Sequence, residues 1–264
     1  MALIDLRHVS KRFGRLVVLD DLSLSIEAGK CLVVIGASGT GKSVLLKHIV
    51  GLLQPDKGEV WYDGQRIDNL AERQLLEVRT NFGFLFQMGA LFDSMAVEEN
   101  VAFPINQHSD KSADDARRIA TEKLALVGLR EIGKKMPGEL SGGQKKRVAL
   151  ARAIALDPKV ILYDEPTTGL DPIRADVITE LIIKLQHELK VTSIVVTHDM
   201  NSALKVGDRI VMLHQGKIVF DGTPEEIKTT EDPVVRRFVL GEASEEELAA
   251  LRTNGAAAAE RVQR

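Results

Sequence analysis

The sequence predicts an α/β fold with a mainly parallel core sheet, an antiparallel β subdomain and an inserted helical subdomain. Three observations support this prediction. Alternating apolar and polar residues near the N-terminus indicate strands with one wet face. Fully apolar strands further along alternate with helical segments, as in parallel α/β sheets. The middle of the chain, about residues 88–157, is mostly helical in its pattern.

The N-terminal third is predicted to consist mostly of strands. Residues 3–9 and 22–26 alternate apolar and polar side chains, which favours a sheet with one solvated face. Residues 31–35 are apolar throughout, as in a strand buried on both faces. Asp63 and Gly64 accept the positive φ angles of a tight turn, so the short strands on either side of them are predicted to form a hairpin.

Helices and strands alternate in the rest of the chain. Ser112 and Asp115 have capping-box spacing ahead of an apolar helical face, and Gly128 is expected to end that helix. Ser244 and Glu247 have the same spacing and predict a short helix in the tail; the alternative is a solvated, frayed terminus. The other predicted elements are strands at residues 160–163 and 193–197, a helix at about 174–189, and a hairpin of residues 209–213 and 217–220.

The composition describes an ordinary globular chain. Of the 264 residues, 44% are hydrophobic and 28% are charged, which argues against disorder. The 35 Lys and Arg residues against 38 Asp and Glu give a net charge of −3, so the chain has no overall basic footprint for nucleic acid. Aromatic residues make up only 4%, too few for an extended base-stacking platform. We therefore expect no nucleic-acid partner.

Cysteine usage and hydropathy restrict the environment of the protein. Cys31 is the only cysteine, so no intrachain disulfide can form and a reducing compartment is indicated. The first seven residues contain an acid and a base and no long apolar run, unlike a secretory signal. No apolar run approaches the roughly 18–20 residues of a membrane span. If the protein works at a membrane, we expect it to dock onto another chain.

A glycine-rich turn between the apolar residues 31–35 and a predicted helix at residues 42–53 has the chemistry of a phosphate-binding loop. Glycines let successive backbone N–H groups point inward, and the helix adds the positive end of its dipole. Lys42 is predicted to contact the β- and γ-phosphates, and Ser43 to ligate Mg²⁺. The alternative is a structural turn that binds nothing. The motif G-x-x-x-x-G-K-[ST] is formed by Gly36, Ala37, Ser38, Gly39, Thr40, Gly41, Lys42 and Ser43.

Two acids follow the apolar strand at residues 160–163. The carboxyl ends of parallel strands face the ligand crevice, so Asp164 and Glu165 are predicted to lie there. Asp164 is expected to hold Mg²⁺, directly or through water, opposite Ser43. Glu165 is expected to orient and polarise the attacking water as general base. The alternative is an ordinary strand end whose acids face solvent.

A serine-glycine-glycine turn before a helical segment indicates the family. By itself, this turn is only another anion cradle. Because it lies between the phosphate loop and the two acids, it resembles the signature motif of ATP-binding cassette ATPases; the motif is Leu140, Ser141, Gly142, Gly143 and Gln144. The resemblance extends over roughly residues 3–238. It implies a homodimer that closes on two ATP molecules, with the phosphate loop of one chain facing the signature turn of the other.

Further residues match family motifs, and their roles are implied by the resemblance. Gln87 matches the Q-loop glutamine, a further Mg²⁺ ligand, and Asp171 lies in a match to the D-loop. His198 matches the switch histidine that contacts the γ-phosphate. Phe13 matches the aromatic residue that stacks on adenine. The catalytic residues implied are Lys42, Gln87, Glu165 and His198.

Two positions depart from the family pattern. Phe13 keeps the π-face of the commoner tyrosine but lacks its hydroxyl, which predicts weak base selectivity. Tyr163 replaces an aliphatic residue just before Asp164. Its hydroxyl needs a hydrogen-bond partner that the sequence does not identify.

Segments outside these motifs, at residues 43–53, 86–104 and 232–238, resemble the ATPases of Mla-type (Mce-linked) phospholipid transporters. The resemblance implies a dimer on the cytoplasmic face of the bacterial inner membrane, beneath integral-membrane permease subunits. It also implies a periplasmic Mce-domain lipid-binding protein, and some systems of the family carry a STAS-domain accessory subunit. A permease groove is expected at about residues 88–103, with plain core as the alternative for its apolar wall of Met88, Ala90, Leu91, Phe92 and Met95.

The predicted function is ATP hydrolysis that powers transport of a phospholipid or related organic solute between the inner and outer membranes. An importer ATPase for a polar solute, such as an amino acid, is the alternative. Small-molecule kinases and GTPases share the phosphate loop but have no use for the signature turn. Cassette proteins that act on DNA or ribosomes usually carry two cassettes, a long coiled coil or zinc-binding cysteines, and this sequence has none of these features. The predicted ATPase domain is residues 1–240, followed by a C-terminal extension of residues 241–264.

Overall fold

The structure, a computed structural model, describes residues 2–243. The predicted tail helix after Ser244 lies outside the described residues. The strands are β1 Ala2–Phe13, β2 Leu16–Glu27, β3 Cys31–Ile35, β4 Lys57–Tyr62, β5 Gln65–Arg66, β6 Phe82–Leu85, β7 Val160–Asp164, β8 Thr192–Val196, β9 Arg209–His214 and β10 Lys217–Gly222. The helices are α1 Lys42–Ile49, α2 Glu72–Arg79, α3 Val97–His108, α4 Ala113–Leu126, α5 Gly142–Ala153, α6 Pro172–Leu189, α7 Met200–Val206, α8 Pro224–Thr229 and α9 Pro233–Leu240.

The first sheet is antiparallel and is formed by the N-terminal strands in the order β2-β1-β4-β5. The predicted hairpin between β4 and β5 is confirmed, because Asp63 and Gly64 have φ angles of 49° and 78°. β1 buries Ile4, Leu6 and Val9, and the remainder of the strand is partly or fully exposed. This is the one-sided burial expected of an antiparallel sheet with one solvated face.

The second sheet forms the core, with the strand order β10-β9-β3-β8-β7-β6. β3, β6, β7, β8 and β9 run parallel, and β10 pairs antiparallel with β9. Every residue of Cys31–Ile35 is buried, as predicted, with Val33 and Ile35 in one apolar cluster and Leu32 and Val34 in the other. Parallel pairing brings the carboxyl ends of these strands to one edge, where the polar residues considered below lie.

Helices α3, α4 and α5 pack against one another in the middle of the chain. The predicted cap of α4 is confirmed, since the Ser112 hydroxyl accepts a hydrogen bond from the Asp115 N–H at 3.1 Å. Gly128 has a φ of 71° just beyond the helix, which is the left-handed conformation expected at its end. Ala116, Ala120 and Leu124 are buried along one helical face.

One predicted helix boundary is wrong. α1 ends at Ile49 rather than Leu53, because Gly51 turns the chain with a φ of 66° and packs under Leu75. Within the region of about residues 88–157, where the pattern is mostly helical, the first helix begins at Val97. The segment before Val97 is irregular, and Gly89 and Ala90 have φ angles of 76° and 49°, outside the range of a right-handed helix.

The hydroxyl of Tyr163 is unpaired among the described residues. The side chain is fully buried, and the Ser193 hydroxyl on the neighbouring strand likewise lacks a hydrogen-bond partner within residues 2–243. Burial raises the pKa of Tyr163, with the buried Cys31 thiol as a smaller cause.

Within residues 2–243, the helices lack the combination of length and apolar character that a membrane span requires.

Asn100 organises the irregular segment that precedes α3. It is fully buried, its amide group donates to the carbonyls of Phe92, Met95 and Ala96, and its carbonyl oxygen accepts from the Phe92 N–H at 2.8 Å. The carbonyl oxygens of Phe92 and Ala96 also accept the backbone N–H groups of Met95 and Asn100, whereas the Phe92 N–H and the Met95 carbonyl are paired by the Asn100 amide. Removing the amide therefore leaves these last two groups without their partner.

We expect Asn100→Ala to lower the free energy of unfolding by about 2–4 kcal/mol, because each buried polar group left unpaired costs about 1–3 kcal/mol. Urea unfolding followed by circular dichroism measures the change. Asn106→Ala, at an exposed position of the same helix, is the control and should stay within about 0.5 kcal/mol of the parent protein. Equal stability of the two variants would contradict the role given to Asn100.

Candidate nucleotide-binding site

The phosphate loop connects β3 to α1, as predicted, and its backbone requires glycine at two points. Gly36 has a φ of 148°, and a Cβ there would lie 2.3 Å from the Leu213 carbonyl oxygen on β9. Gly41 has a φ of 101°, and a Cβ there would lie 2.8 Å from the Val18 carbonyl oxygen on β2. Both sheets therefore press against the loop, and any larger residue would displace it.

Lys42 begins α1 and folds back over the loop. Its ammonium donates to the carbonyl oxygens of Gly36 at 2.7 Å and Ala37 at 2.9 Å, and its side chain is only 7% exposed. Burial lowers the pKa of Lys42, and the nearby carboxylates of Glu165 and Asp164 oppose this shift. The loop's own carbonyls thus hold a cation beside its backbone N–H groups, where a polyphosphate would need one.

Ser43 and Asp164 come from different elements and meet at the carboxyl edge of the core sheet. The Ser43 hydroxyl donates to Asp164 Oδ1 at 3.2 Å. Burial raises the pKa of Asp164, and the hydrogen bond from Ser43 opposes this rise. A hydroxyl and a carboxylate are oxygen ligands of the kind that Mg²⁺ prefers, and a cation between them would offset the cost of the buried charge. These two residues therefore fit the predicted metal site.

Glu165 is held at the end of β7 by its neighbours. Its Oε2 accepts a hydrogen bond from the Thr168 hydroxyl at 3.1 Å, and His198 Nδ1 lies 2.8 Å from the same oxygen. Its other oxygen, Oε1, lies 4.0 Å from Lys42 Nζ. The side chain is 12% exposed, and the residue adopts a φ of 50°. Glu165 and His198, which follow adjacent parallel strands, are thus brought together at the carboxyl edge of the sheet.

Gln87 contributes to this cluster through its backbone. It is exposed and lies two residues beyond the end of β6. Its carbonyl oxygen accepts a hydrogen bond from Lys146, whereas the contact between Ser43 and Asp164 is made by side chains. Of the three predicted metal ligands, the structure therefore joins Ser43 and Asp164 directly, and it leaves the Gln87 side chain at the surface.

The signature turn caps α5 and lies beside the start of α6. The Ser141 hydroxyl accepts from the Gln144 N–H at 3.4 Å, and the Gln144 side chain accepts from the Ser141 N–H at 2.9 Å. A Cβ on Gly142 would contact Leu170, and one on Gly143 would contact Arg174. Ser141 and Gly142 are exposed. The neighbours of this turn are therefore the residues around the predicted D-loop.

Asp171 caps α6, next to the signature turn. Its Oδ1 accepts from the Arg174 N–H at 3.0 Å, and its Oδ2 pairs with Arg174 Nε at 3.2 Å. The pair is on the surface, where an ion pair contributes little to stability. Asp171 and the signature turn form a second group of predicted residues, separate in their contacts from the cluster around Glu165.

Phe13 lies at the tip of the hairpin between β1 and β2, and its side chain is 48% exposed. The ammonium of Lys11 lies 5.7 Å from the centre of its ring. Val18, on the same hairpin, packs against Gly41 of the phosphate loop. The hairpin therefore places an accessible aromatic ring on the part of the molecule that touches the loop.

Two residues of the cluster are not predicted from the sequence. Thr168 donates to Glu165, and Lys146 donates to the carbonyl oxygens of Gln87 and Glu165. Lys146 does carry a sequence signal, since it interrupts the buried face of α5 between Gly143 and Ala149 at helical spacing. A single charge on an apolar face indicates a buried, partnered cation. Thr168 carries no comparable signal.

Comparisons with known proteins agree with this geometry. A profile of the ABC transporter family matches residues 19–168. The chain is 45% identical over 238 residues to "Probable ribonucleotide transport ATP-binding protein mkl" of Mycobacterium tuberculosis, covering 90% of this chain and 66% of that protein. It is 44% identical over 241 residues to "Intermembrane phospholipid transport system ATP-binding protein MlaF" of Haemophilus influenzae, covering 91% of each chain.

A solved structure is also similar. The ATP-binding cassette MJ0796, described as a dimer in a post-hydrolysis state bound to ADP and phosphate, has a TM-score of 0.77. It is 35% identical, and the match covers 84% of this chain and 98% of that one. The fold predicted from the sequence is thereby confirmed. The chain spans just under two thirds of the length of the mycobacterial relative.

Asp164→Asn is expected to stabilise the nucleotide-free protein. A raised pKa means that the native state binds the carboxyl proton more tightly than the unfolded state does, so ionised Asp164 costs stability. This cost is complete above the native pKa and disappears as the pH falls below the usual value of 3.8. The Tm of the variant should exceed that of the parent protein at pH 7.5, and the difference should narrow toward pH 4.

Differential scanning fluorimetry across this pH range measures the effect. Asp110→Asn, at an exposed position, serves as the control and should give a Tm difference near zero at every pH. A lower Tm for Asp164→Asn than for the parent protein at pH 7.5 would contradict the account of the buried carboxylate.

Proposed function

Because the chain belongs to the ABC transporter family, we propose that it is the ATP-hydrolysing subunit of a transporter that moves phospholipids or related organic solutes between the inner and outer membranes. The observation that carries the proposal is the cluster at the carboxyl edge of the core sheet. There, Lys42 lies 4.0 Å from Glu165, His198 lies 2.8 Å from the same carboxylate, and the adjacent Asp164 accepts a hydrogen bond from Ser43. Phosphoryl transfer needs this combination of cation, metal ligands and water-orienting base.

The phosphate loop binds the triphosphate in this proposal. Its backbone N–H groups and Lys42 take the β- and γ-phosphates, and Lys42 exchanges its bonds to the loop carbonyls for bonds to phosphate oxygen. Ser43 and Asp164 would hold Mg²⁺, which would neutralise charge that develops on the phosphates. Gln87 completes the ligand set only if its segment moves, since its side chain is at the surface. Phe13 offers its ring face to the base.

Glu165 orients the attacking water and accepts its proton. The Thr168 hydroxyl donates to its Oε2 and His198 Nδ1 lies 2.8 Å from the same oxygen, which leaves Oε1 for the water. His198 is half-exposed, and we assign to it the contact with the γ-phosphate that its family match implies. The two contacts at Oε2 restrict the direction of the carboxylate before substrate arrives, which is the preorganisation that general-base catalysis needs.

The second half of the site comes from another copy of the chain. Each chain holds one phosphate loop and one signature turn, and the contacts of the turn are with Leu170 and Arg174 rather than with that loop. Ser141 and Gly142 are exposed and stand at the N-terminus of α5, whose free N–H groups favour an anion. ATP therefore joins two chains head to tail, and hydrolysis removes the contact that favours the closed dimer.

The permease contacts the exposed apolar residues that follow β6. Of the five side chains predicted for the groove wall, Met88 is 87% exposed, Ala90 and Phe92 are exposed and Met95 is half-buried, whereas Leu91 packs against the core, which is the alternative that the sequence left open. Flexible methionine and aromatic side chains suit an adaptable docking surface. We propose that residues 88–157 form the helical subdomain of the ATPase domain at residues 1–240. Integral-membrane permease subunits would then hold the dimer at the cytoplasmic face of the inner membrane.

The relatives support two cargoes. The protein named for phospholipid transport matches this chain over 91% of both lengths, which supports the lipid cargo. For a lipid cargo we propose a periplasmic Mce-domain lipid-binding protein and a STAS-domain accessory subunit as further partners, on the resemblance of the sequence alone. The protein named for ribonucleotide transport is 45% identical but is covered over only 66% of its length. It supports a polar solute as the second candidate. Residues 241–264 form the C-terminal extension in either case.

Lys42→Ala is expected to lose nucleotide, because it removes the cation that faces the phosphates. Glu165→Gln is expected to bind ATP, accumulate as a dimer and lose about 10²- to 10⁴-fold in turnover, the usual effect of removing a positioned base. Binding is measured with a fluorescent ATP analogue, turnover by phosphate release, and the dimer by size-exclusion chromatography with light scattering.

Lys47→Ala is the matched control, since Lys47 is an exposed lysine on the same helix. It should bind nucleotide like the parent protein. Normal turnover by the Glu165→Gln variant would contradict the general-base role assigned to that residue. A Glu165→Gln protein that stays monomeric with ATP bound would contradict the proposal of an ATP-dependent dimer.

The cargo and the docking surface can be tested in one preparation. We expect the chain, co-expressed with its permease subunits and purified in detergent, to carry phospholipid detectable by mass spectrometry. Met88→Glu should abolish co-purification of the permease, because a charge in an apolar interface is costly to bury. Val219→Glu, at an exposed apolar position on β10, is the control that keeps the permease. Recovery of a nucleotide or an amino acid instead of lipid would favour the second candidate.

A further inference from the structure

Lys146 links two parts of the site that are distant in sequence. It lies on the buried face of α5 and is only 6% exposed. Its ammonium donates to the Gln87 carbonyl oxygen, beyond β6, and to the Glu165 carbonyl oxygen, at 3.2 Å, beyond β7. An ammonium has three N–H donors, so it can donate to both carbonyls at once.

The electrostatic setting of Lys146 explains why a cation is tolerated there. Burial lowers the pKa of Lys146, and the carboxylates of Glu165 and Asp164 oppose the shift. The same two acids act on Lys42 in the same sense. Two carboxylates are therefore accompanied by two ammonium groups. Lys42 bonds the phosphate loop, whereas Lys146 bonds the backbone of the segments that carry Gln87 and Glu165.

The backbone of Glu165 needs this support. Its φ of 50° is a left-handed conformation that non-glycine residues seldom adopt. The Glu165 N–H donates to the Val196 carbonyl oxygen of the neighbouring strand at 2.9 Å. The Glu165 carbonyl oxygen, by contrast, accepts hydrogen bonds from the Lys146 ammonium and from the Thr168 N–H, the latter at 3.3 Å. The direction in which the carboxylate leaves the chain follows from this conformation. A donor that holds the carbonyl therefore holds the carboxylate in place.

α5 contacts the segment around Gln87 at a second point. Arg152, two turns after Lys146, donates to the Gly89 carbonyl at 2.9 Å. Between them, Ala149 lies 3.5 Å from where a Cβ on Gly89 would sit. One face of α5 thus follows the chain from Gln87 to Gly89. The signature turn is the N-terminus of this same helix, so the helix and the segment are expected to move together.

We propose that Lys146 is a positioning residue that sets the direction of the Glu165 carboxylate and makes it depend on the position of the Gln87 segment. The proposal rests on the proposed ATPase function. Displacement of that segment would break one of the two bonds of Lys146 and relax the backbone of Glu165. Hydrolysis would then be fast only when α5, the Gln87 segment and the end of β7 are in register.

The test compares Lys146→Met, which keeps length and removes the ammonium, with Lys146→Arg, which keeps the charge and several donors. We expect Lys146→Met to lower kcat about 10- to 100-fold, the scale of a small misplacement of a catalytic group, while KM for ATP changes less than about twofold. Lys146→Arg should recover most of the rate. In the Glu165→Gln background, Lys146→Met should cause no further loss, because it acts through that carboxylate.

Lys184→Met is the control. Lys184 also donates to a backbone carbonyl, that of Leu126, but it lies on α6 outside the site. The kcat of the Lys184→Met variant should therefore equal that of the parent protein. A kcat for Lys146→Met within twofold of the parent protein overturns the proposal, as does a multiplied loss in the double variant, which would indicate general damage. If Lys146→Met does not fold, Lys146→Arg takes its place in the comparison. A loss of kcat on introducing Lys146→Arg that is equally large in the parent protein and in the Glu165→Gln background overturns the proposal. Failure of the parent protein to hydrolyse ATP, by contrast, refutes the ATPase function as well.

Discussion

The placement of four charged groups at one edge of the core sheet is the constraint on which the site depends. Asp164 and Glu165 are acids in partly buried positions, and Lys42 and Lys146 are the cations beside them. Burying unpaired charges is costly, so each group here has hydrogen bonds to a side chain or to backbone carbonyls. The arrangement leaves the acids available to a metal ion and a water molecule, and it leaves Lys42 available to a phosphate.

Parallel pairing is what makes such an arrangement possible. β3, β7 and β8 are neighbours in space but are separated in sequence, and their carboxyl ends bring the phosphate loop, Glu165 and His198 together. Each strand is buried on both faces, so its register is strongly specified. A slip of one residue would turn the acids away from Ser43 and His198. The apolar core thus determines the geometry of the polar edge.

α5 connects this edge to the surfaces that we propose face other chains. Its N-terminus carries Ser141, its buried face carries Lys146, and Arg152 holds the segment that begins the exposed apolar surface at Met88. Asn100 fixes the other end of that segment through its bonds to Phe92 and Met95. A rigid helix attached at both ends in this way can pass a displacement from the surface to the site, whereas a loop would absorb it.

Much of the fold and of the site could be predicted from the sequence, because both depend on local patterns. The run of five apolar residues at Cys31–Ile35 determined a buried strand, the turn Asp63–Gly64 determined a hairpin, and the glycine spacing before Lys42 determined the phosphate loop. The family motifs that follow were recognisable because their chemistry requires particular residue types at particular spacings. The end of α1 was missed because it depends on Leu75, a contact far along the chain.

What the sequence determined by itself was therefore the type of each main element and the identity of the polar residues at the strand ends, since hydrophobic periodicity and turn chemistry act over a few residues. Tertiary structure alone decided which of those residues meet. It joined Ser43 to Asp164 and His198 to Glu165, and it left the side chain of Gln87 exposed. It also recruited Lys146 through backbone carbonyls, which every residue has and which no sequence pattern can single out.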